Sequence, residues 1–216
     1  MARGFLSLIL ITGMVFFGWL ESKAEEKPSV MILPFFVERI ENPARGAVLC
    51  PLCKGVFQSG TVLPGSQNTL TRFLYDKVGE MGTFNILPLE KVKDAFSRSD
   101  RKQFEQNPIP SSVRLGKELN VDFILLGYLF RFEERIGSSV GVEKPASVGF
   151  DLHLVRVRDG KAVWTGRFDE TQRPLSDDLL KIGSFFRRGA SWLRAEELAS
   201  AGMSEVLKKL PGVKEL

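Results

Sequence analysis

The residues best suited to chemistry stand in one short stretch. Cys50-Pro51-Leu52-Cys53 holds both cysteines of the 216-residue chain. Two sulfurs at that spacing can close a local disulfide, present thiolates to a metal, or form a redox pair. In an oxidising compartment the first reading is a disulfide across a tight turn. The second is a zinc knuckle, because Cys-Pro-x-Cys followed by Lys54-Gly55 is a common way to offer two thiolates to one ion. Zinc takes four ligands and the chain has no second cysteine pair, so the other two are expected from another subunit, in a four-thiolate site shared by a dimer. A thioredoxin-like pair needs its first thiolate at a helix N-terminus, and residues 54–60 are poor helix material. Covalent haem attachment wants a histidine where Lys54 stands. No cofactor other than that shared zinc is expected.

Other chemistry-bearing residues are sparse. His153, the single histidine, lies between Leu152 and Leu154 in a strand-like run and reads as an ordinary outward or satisfied strand position. A catalytic triad or a histidine-rich metal site is excluded by count unless His153 itself is the base. The chain has no Walker loop, no dinucleotide glycine fingerprint and no His-Glu-x-x-His. Glu133-Glu134, Asp177-Asp178 and Glu196-Glu197 are neighbours whose side chains point apart, so they read as solvated faces and helix starts. Phe185, Trp192 and Leu193, with Arg187, Arg188 and Arg194, combine aromatics and guanidinium groups as interface anchors do, and are the candidate partner-binding residues. The loop over residues 137–145 is rich in Gly and Ser and reads as a connection or a partner-binding tip. The net charge is only +4, with 30 basic and 26 acidic residues interleaved, so no concentrated basic face for nucleic acid is expected.

Arg3 precedes an uncharged run from Gly4 to Leu20, and Ser22-Lys23-Ala24 places small residues where a signal peptidase cuts. Residues 1–24 therefore read as a secretory signal peptide cleaved after Ala24. The alternative is an uncleaved N-terminal anchor, since a run of about 17 residues is at the short end of what spans a bilayer. Membrane association through that segment is the corresponding expectation.

The elements that must position these residues centre on residues 121–171. The run Val121 to Phe132 is almost unbroken in apolar side chains, which predicts a strand buried on both faces. Two further strands, 148–158 and 161–169, flank Asp159-Gly160, a pair suited to a tight type I′ turn. Upstream, residues 30–37 predict a strand that Pro34 must end, bulge or leave at an edge. Residues 42–66 form a long Gly- and Pro-rich insertion. Apolar residues at helical spacing predict a helix over 68–82, a second from Pro88 through Phe96, and a third opening at Ser111 or Ser112 and closed by Asn120. Residues 97–110 read as an exposed connection. Helices from Ser176 and from Arg194 to Leu210 complete the chain. The fold class is α/β or α+β: a mixed sheet ending in a β-meander, helices packed on it, and two C-terminal helices. One domain is expected over 25–174, with 175–216 as its helical extension.

Val30-Met31-Ile32-Leu33-Pro34-Phe35, the segment Leu115 to Gly127, and Phe150 to Thr165 with its Trp164 strand together resemble the TolB amino-terminal-like α/β fold. Similar domains occur in the curli secretion lipoprotein and in outer-membrane activators of penicillin-binding proteins. The resemblance covers residues 29–170 and marks a scaffold without carrying over site residues. It implies a non-enzymatic periplasmic or outer-membrane-associated binding or assembly protein of the bacterial cell envelope. The alternatives are a subunit of an oligomeric secretion assembly, and a thiol or zinc protein using Cys50 and Cys53. No lipidation cysteine follows the apolar run, and the cysteine insertion is not part of the usual core.

Overall fold

The computed structural model describes residues 27–38, 46–139, 141–172, 192–212 and 215. The signal segment, the helix expected from Ser176, and Phe185, Arg187 and Arg188 lie outside the described residues. No helix among the described residues is long and apolar enough to cross a membrane.

The frame is one mixed sheet. Its strands are β1 (Ser29–Ile32), β2 (Phe36–Val37), β5 (Asn85–Ile86), β6 (Phe123–Glu133), β9 (Ser147–Arg156) and β10 (Lys161–Thr171). The order is β10-β9-β6-β1-β5, with β2 also on β6, and two short hairpins stand off this sheet, β3 (Ala47–Leu49) with β4 (Val56–Gln58) and β7 (Ile136–Gly137) with β8 (Val142–Lys144). β5, β1 and β6 run parallel, while β6, β9 and β10 form the antiparallel meander expected from the sequence. Pro34 does interrupt the first strand. Leu33 donates to Leu125, the next free N–H, that of Phe35, turns to the Thr71 hydroxyl at 3.0 Å, and pairing with β6 resumes at Phe36. The break costs no unsatisfied donor.

Helices occupy both faces for a topological reason. The crossover from β1 to β5 carries α1 (Ser66–Met81), and the return from β5 to β6 carries α2 (Leu89–Ser97), α3 (Arg101–Gln106) and α4 (Pro108–Glu118). The two crossovers move in opposite directions along the sheet, so the right-handed rule puts their helices on opposite faces. One core joins α1 and the last helix, α5 (Ala195–Leu207), to Val30, Ile32, Leu125, Leu129, Phe150 and Leu152. The other joins α2–α4 to Met31, Leu33, Ile124, Leu126 and Val155. Alternation along β1, β6 and β9 sends successive side chains to the two cores.

Three local expectations are corrected. The hairpin between β9 and β10 is not a type I′ turn: only Gly160 has a positive φ, +69°, and the register leaves four residues, 157–160, in the loop. Asp159 stabilises it by accepting from Lys161 N–H and pairing with Arg156 at 2.8 Å. Residues 97–110 are not an open connection, because Asp100 caps α3 and buries Phe104 in the second core. α4 starts at Pro108, three residues before the expected serines, which lie buried inside it; Pro at the first helical turn needs no donor. Asn120 closes that helix region at φ +55° as expected.

Close approach, more than turn geometry, explains Gly127 in the middle of β6. A Cβ there would lie 2.5 Å from the Phe35 ring, which packs on the bare backbone and meets Phe150 edge-on at 6.2 Å. Gly127→Ala is expected to displace that ring and destabilise the fold by about 1–3 kcal/mol, an overpacking cost. Urea unfolding checks it, and adding Phe35→Leu to the same chain should recover part of the loss.

Candidate functional site

The sheet's second face is only partly covered by α2–α4. Beyond them Tyr128 and Phe130 of β6 and Asp151 and His153 of β9 face the same side. The insertion covers them. It is a hairpin of β3 (Ala47–Leu49) and β4 (Val56–Gln58), not the loop its composition suggested. Phe57 is buried and stacks on Phe130 with ring centroids 4.0 Å apart, while Arg167 lies over the Phe57 ring at 4.2 Å. Burying an aromatic side chain of this size stabilises by about 1.5–3 kcal/mol.

A buried ion pair clamps the hairpin. Arg131, 2 % exposed, donates to Asp169 Oδ1 at 2.8 Å, to Ser147 Oγ at 2.6 Å and to the Gln58 carbonyl at 2.6 Å. Asp169 Oδ2 accepts the Gln58 N–H at 3.1 Å. Both backbone groups of Gln58 are thereby held by one guanidinium–carboxylate pair from the sheet. Beside it, Glu133 pairs with Lys144 at 2.7 Å and accepts the Thr61 N–H at 2.8 Å.

The hairpin's tip carries the cysteines over β9. Lys54, at φ +59°, lets the chain reverse, with Lys54 N–H donating to Cys50 O and Cys50 N–H to Gly55 O. Cys50 Sγ accepts the N–H groups of Leu52 at 3.3 Å and Cys53 at 3.4 Å. Both thiols are free, Cys50 buried and Cys53 exposed. Below them Asp151 and His153, two residues apart on one face of β9, reach up. His153 Nε2 is 3.4 Å from Cys50 Sγ and 3.1 Å from Asp151 Oδ2; Cys53 Sγ is 3.6 Å from Asp151 Oδ2. All four donor atoms lie within 4.8 Å of one another. Of the two readings of His153 the outward one is corrected: it is 1 % exposed, hydrogen-bonded to Thr165 and Asp151, and faces the cysteines. Among the described residues these four are the group able to hold a metal, and the set lies within one chain.

The cluster is not built as a nucleophile. A cysteine–histidine–acid relay needs the acid on the ring nitrogen opposite the one that faces the thiol, yet here the carboxylate shares Nε2 with Cys50 and Nδ1 faces the Thr165 hydroxyl at 3.2 Å. Burial pushes the Cys50 thiol well above its usual range, and hydrogen bonding to Asp151 adds to the shift. Burial likewise raises Tyr128.

In front of the hairpin lies a cleft of about 1290 Å³. Phe36, Phe96, Phe104 and Tyr128 supply aromatic lining, Val62, Leu63 and Pro64 a wall, and Pro51 of the cysteine turn an edge. Glu38, Arg101, Glu105 and Glu133 are the charged members. Burial raises the Glu38 carboxyl above the usual range.

The partner-binding residues read from the sequence are only partly in view. Trp192 is half-buried, its N–H donating to Ser139 O at 3.0 Å and its carbonyl accepting from Arg135. Arg194 is exposed and closes a capping box with Glu197 at the start of α5. Glu134 also serves that helix, accepting the Ala195 N–H at 3.2 Å. Neither Trp192 nor Arg194 lines the cleft. No sequence signal joined Asp151 to the cysteines; the i, i+2 spacing of Asp151 and His153 was the only hint.

No protein-family model matches the chain, and no curated protein matches it. Among solved structures, the PelC dodecamer from Paraburkholderia phytofirmans is 12 % identical, over 87 % of this chain and 89 % of that one, with a TM-score of 0.45. Lipoprotein GNA1162 from Neisseria meningitidis is 13 % identical over 76 % and 98 %, at 0.42. The LpoB C-terminal domain from Salmonella enterica is 10 % identical over 70 % and 87 %, at 0.41. Likeness this distant assigns no site and no partner.

Two outcomes test the site's supports. Arg131→Met removes the donor to the Gln58 carbonyl and to Ser147 and leaves Asp169 with Arg167 and the Gln58 N–H, and is expected to cost about 1–3 kcal/mol, with proteolysis appearing first within residues 46–60. Burial opposes ionisation of Glu133, but Lys144, the Thr61 N–H and Arg131 outweigh it and hold the carboxyl below its usual range. A depressed carboxyl contributes stability above its unfolded value, about 4.3, that is lost as pH falls. Chemical denaturation of wild type and Glu133→Gln should differ at pH 7, and the difference should begin to shrink as the pH falls below about 4.3.

Proposed function

We propose that this chain is a non-enzymatic binding protein of the bacterial cell envelope, acting as an adapter or assembly factor. The observation that carries the reading is the cleft: an aromatic lining with charged members, large enough for several side chains of a partner segment, and apart from the buried thiol and imidazole. Aromatic anchors ringed by charge are the composition of a protein-recognition surface. The signal-like N-terminus supports an envelope address. Two carboxyls in the lining, Glu38 raised and Glu133 lowered, are the nearest approach to an acid–base pair, yet Glu133 is occupied by Lys144 and Thr61. The occupant that fits is a polypeptide segment presenting apolar side chains and mixed charge.

A photo-crosslinking residue placed at Val37 or Asn68, beside the cleft, should capture a distinct envelope protein in living cells. The same residue at Lys91, on the exposed side of α2, should not. Equal capture from all three positions overturns the cleft as the binding surface. Capture of other copies of the chain would replace the adapter by a self-assembling subunit. A turnover reaction abolished by Glu38→Gln would replace binding by catalysis.

A further inference from the structure

The geometry points to a zinc site inside a single chain, with Cys50, Cys53, Asp151 and His153 as its four ligands, fastening the cysteine turn to the sheet. This is independent of the binding role proposed for the cleft.

The separations carry the inference. Zinc–ligand bonds of about 2.3 Å to sulfur and about 2.0–2.2 Å to nitrogen and oxygen, at tetrahedral angles, imply edges of about 3.6 Å for S–N, about 3.3 Å for N–O and about 3.5 Å for S–O. The corresponding distances here are 3.4, 3.1 and 3.6 Å. Three of the six edges of the coordination tetrahedron are thus matched to within a few tenths of an ångström, and no pair of donors is more than 4.8 Å apart.

Hydrogen bonding alone does not account for the cluster. The Nε2 position can offer one proton, yet Cys50 Sγ and Asp151 Oδ2 both lie against it. Asp151 is fully buried, and its Oδ1 has no hydrogen-bond partner among the described residues. A fully buried carboxylate oxygen left without a partner, beside two thiols and an imidazole, is the imbalance a cation corrects. The surroundings are those of ligands held for a metal. Two backbone N–H groups converge on Cys50 Sγ, and Thr165 on Nδ1 orients the ring so that Nε2 points inward.

The donor types select the ion. Two thiolates and an imidazole are poor ligands for calcium or magnesium, whereas a mixed sulfur, nitrogen and oxygen tetrahedron suits zinc. Four protein ligands leave no open position, so the centre is structural. The expectation of a site shared between two subunits is replaced: β9 supplies the two ligands that the sequence lacked in cysteine.

The test uses the full-length protein purified from its own compartment. Elemental analysis should find one zinc per chain, unchanged when sizing shows a monomer. Reduced, metal-free protein given Co²⁺ should develop sulfur-to-cobalt charge transfer and the intense visible bands of a tetrahedral ion. Cys53→Ser changes an exposed side chain and should leave the fold intact while removing most of the charge-transfer intensity. Thr165→Val, which keeps all four ligands, should weaken zinc binding about 10–100-fold. Half an equivalent of zinc present only in dimers overturns the single-chain site. A Cys50–Cys53 disulfide in the isolated protein, with no metal uptake after reduction, overturns the zinc centre altogether.

Discussion

β6 is apolar on both faces, and the rest of the molecule is arranged to keep water from each. From Phe123 to Phe132 every residue of the strand is buried. A central strand of this kind cannot lie at a surface, since each exposed aromatic or aliphatic side chain forfeits about 1.5–3 kcal/mol. The crossover helices meet that demand on the first face and on half of the second. They cannot meet it over the distal half of the second face. β9 and β10 join β6 by antiparallel hairpins, which need no crossover helix to cover them. The hairpin β3–β4 fills that gap.

A two-stranded hairpin is marginal by itself, so its position must come from what it touches. Three kinds of interaction hold it, drawn from β6, β9 and β10. Phe57 stacks on Phe130 of β6, giving apolar area without direction. Arg131 and Asp169, from β6 and β10, grip the two backbone groups of Gln58 and set the register. The clamp is buried, so its worth lies in geometry more than in net energy, because desolvation offsets most of the attraction of a buried pair. The tip is then placed over Asp151 and His153 of β9. Gly60 belongs to the same design: a Cβ there would run into the Arg131 side chain and the Glu133 carboxylate, so the chain leaves the hairpin where only a glycine can pass.

The scaffold was legible because its signals are local. The two-sided apolar run of β6, the Pro34 break, the small residues of α5 and the Gly82 stop each follow from a few neighbouring side chains. Misjudgements arose where a longer-range partner decided the outcome. Residues 97–110 look solvated by composition, but one phenylalanine, Phe104, stacks near Phe36 and folds the stretch into α3. The insertion looks like a loop because its strands are short and its pairing is stabilised from across the sheet. The site was half legible: the cysteine spacing suggested a knuckle, whereas Asp151 and His153, about a hundred residues away, carry no signature of their own. Counting ligands by residue type led to a second subunit; strand alternation places Asp151 and His153 beside the cysteines within one chain.

That alternation has a consequence for how the surface and the interior depend on each other. On β9, Phe150, Leu152 and Leu154 belong to the core under α1 and α5, so the residues between them must point to the other face. Asp151 and His153 are polar there because they meet the cysteine turn. A one-residue slip of β9 would bury both among leucines and place leucines under the thiols. The two polar side chains thus act against misregister of the strand, at a desolvation cost that apolar residues would avoid. The same turn contributes Pro51 to the cleft. That edge of the cleft is therefore only as fixed as the cysteine turn behind it, and it is the buried side of the hairpin that sets the shape of the exposed side.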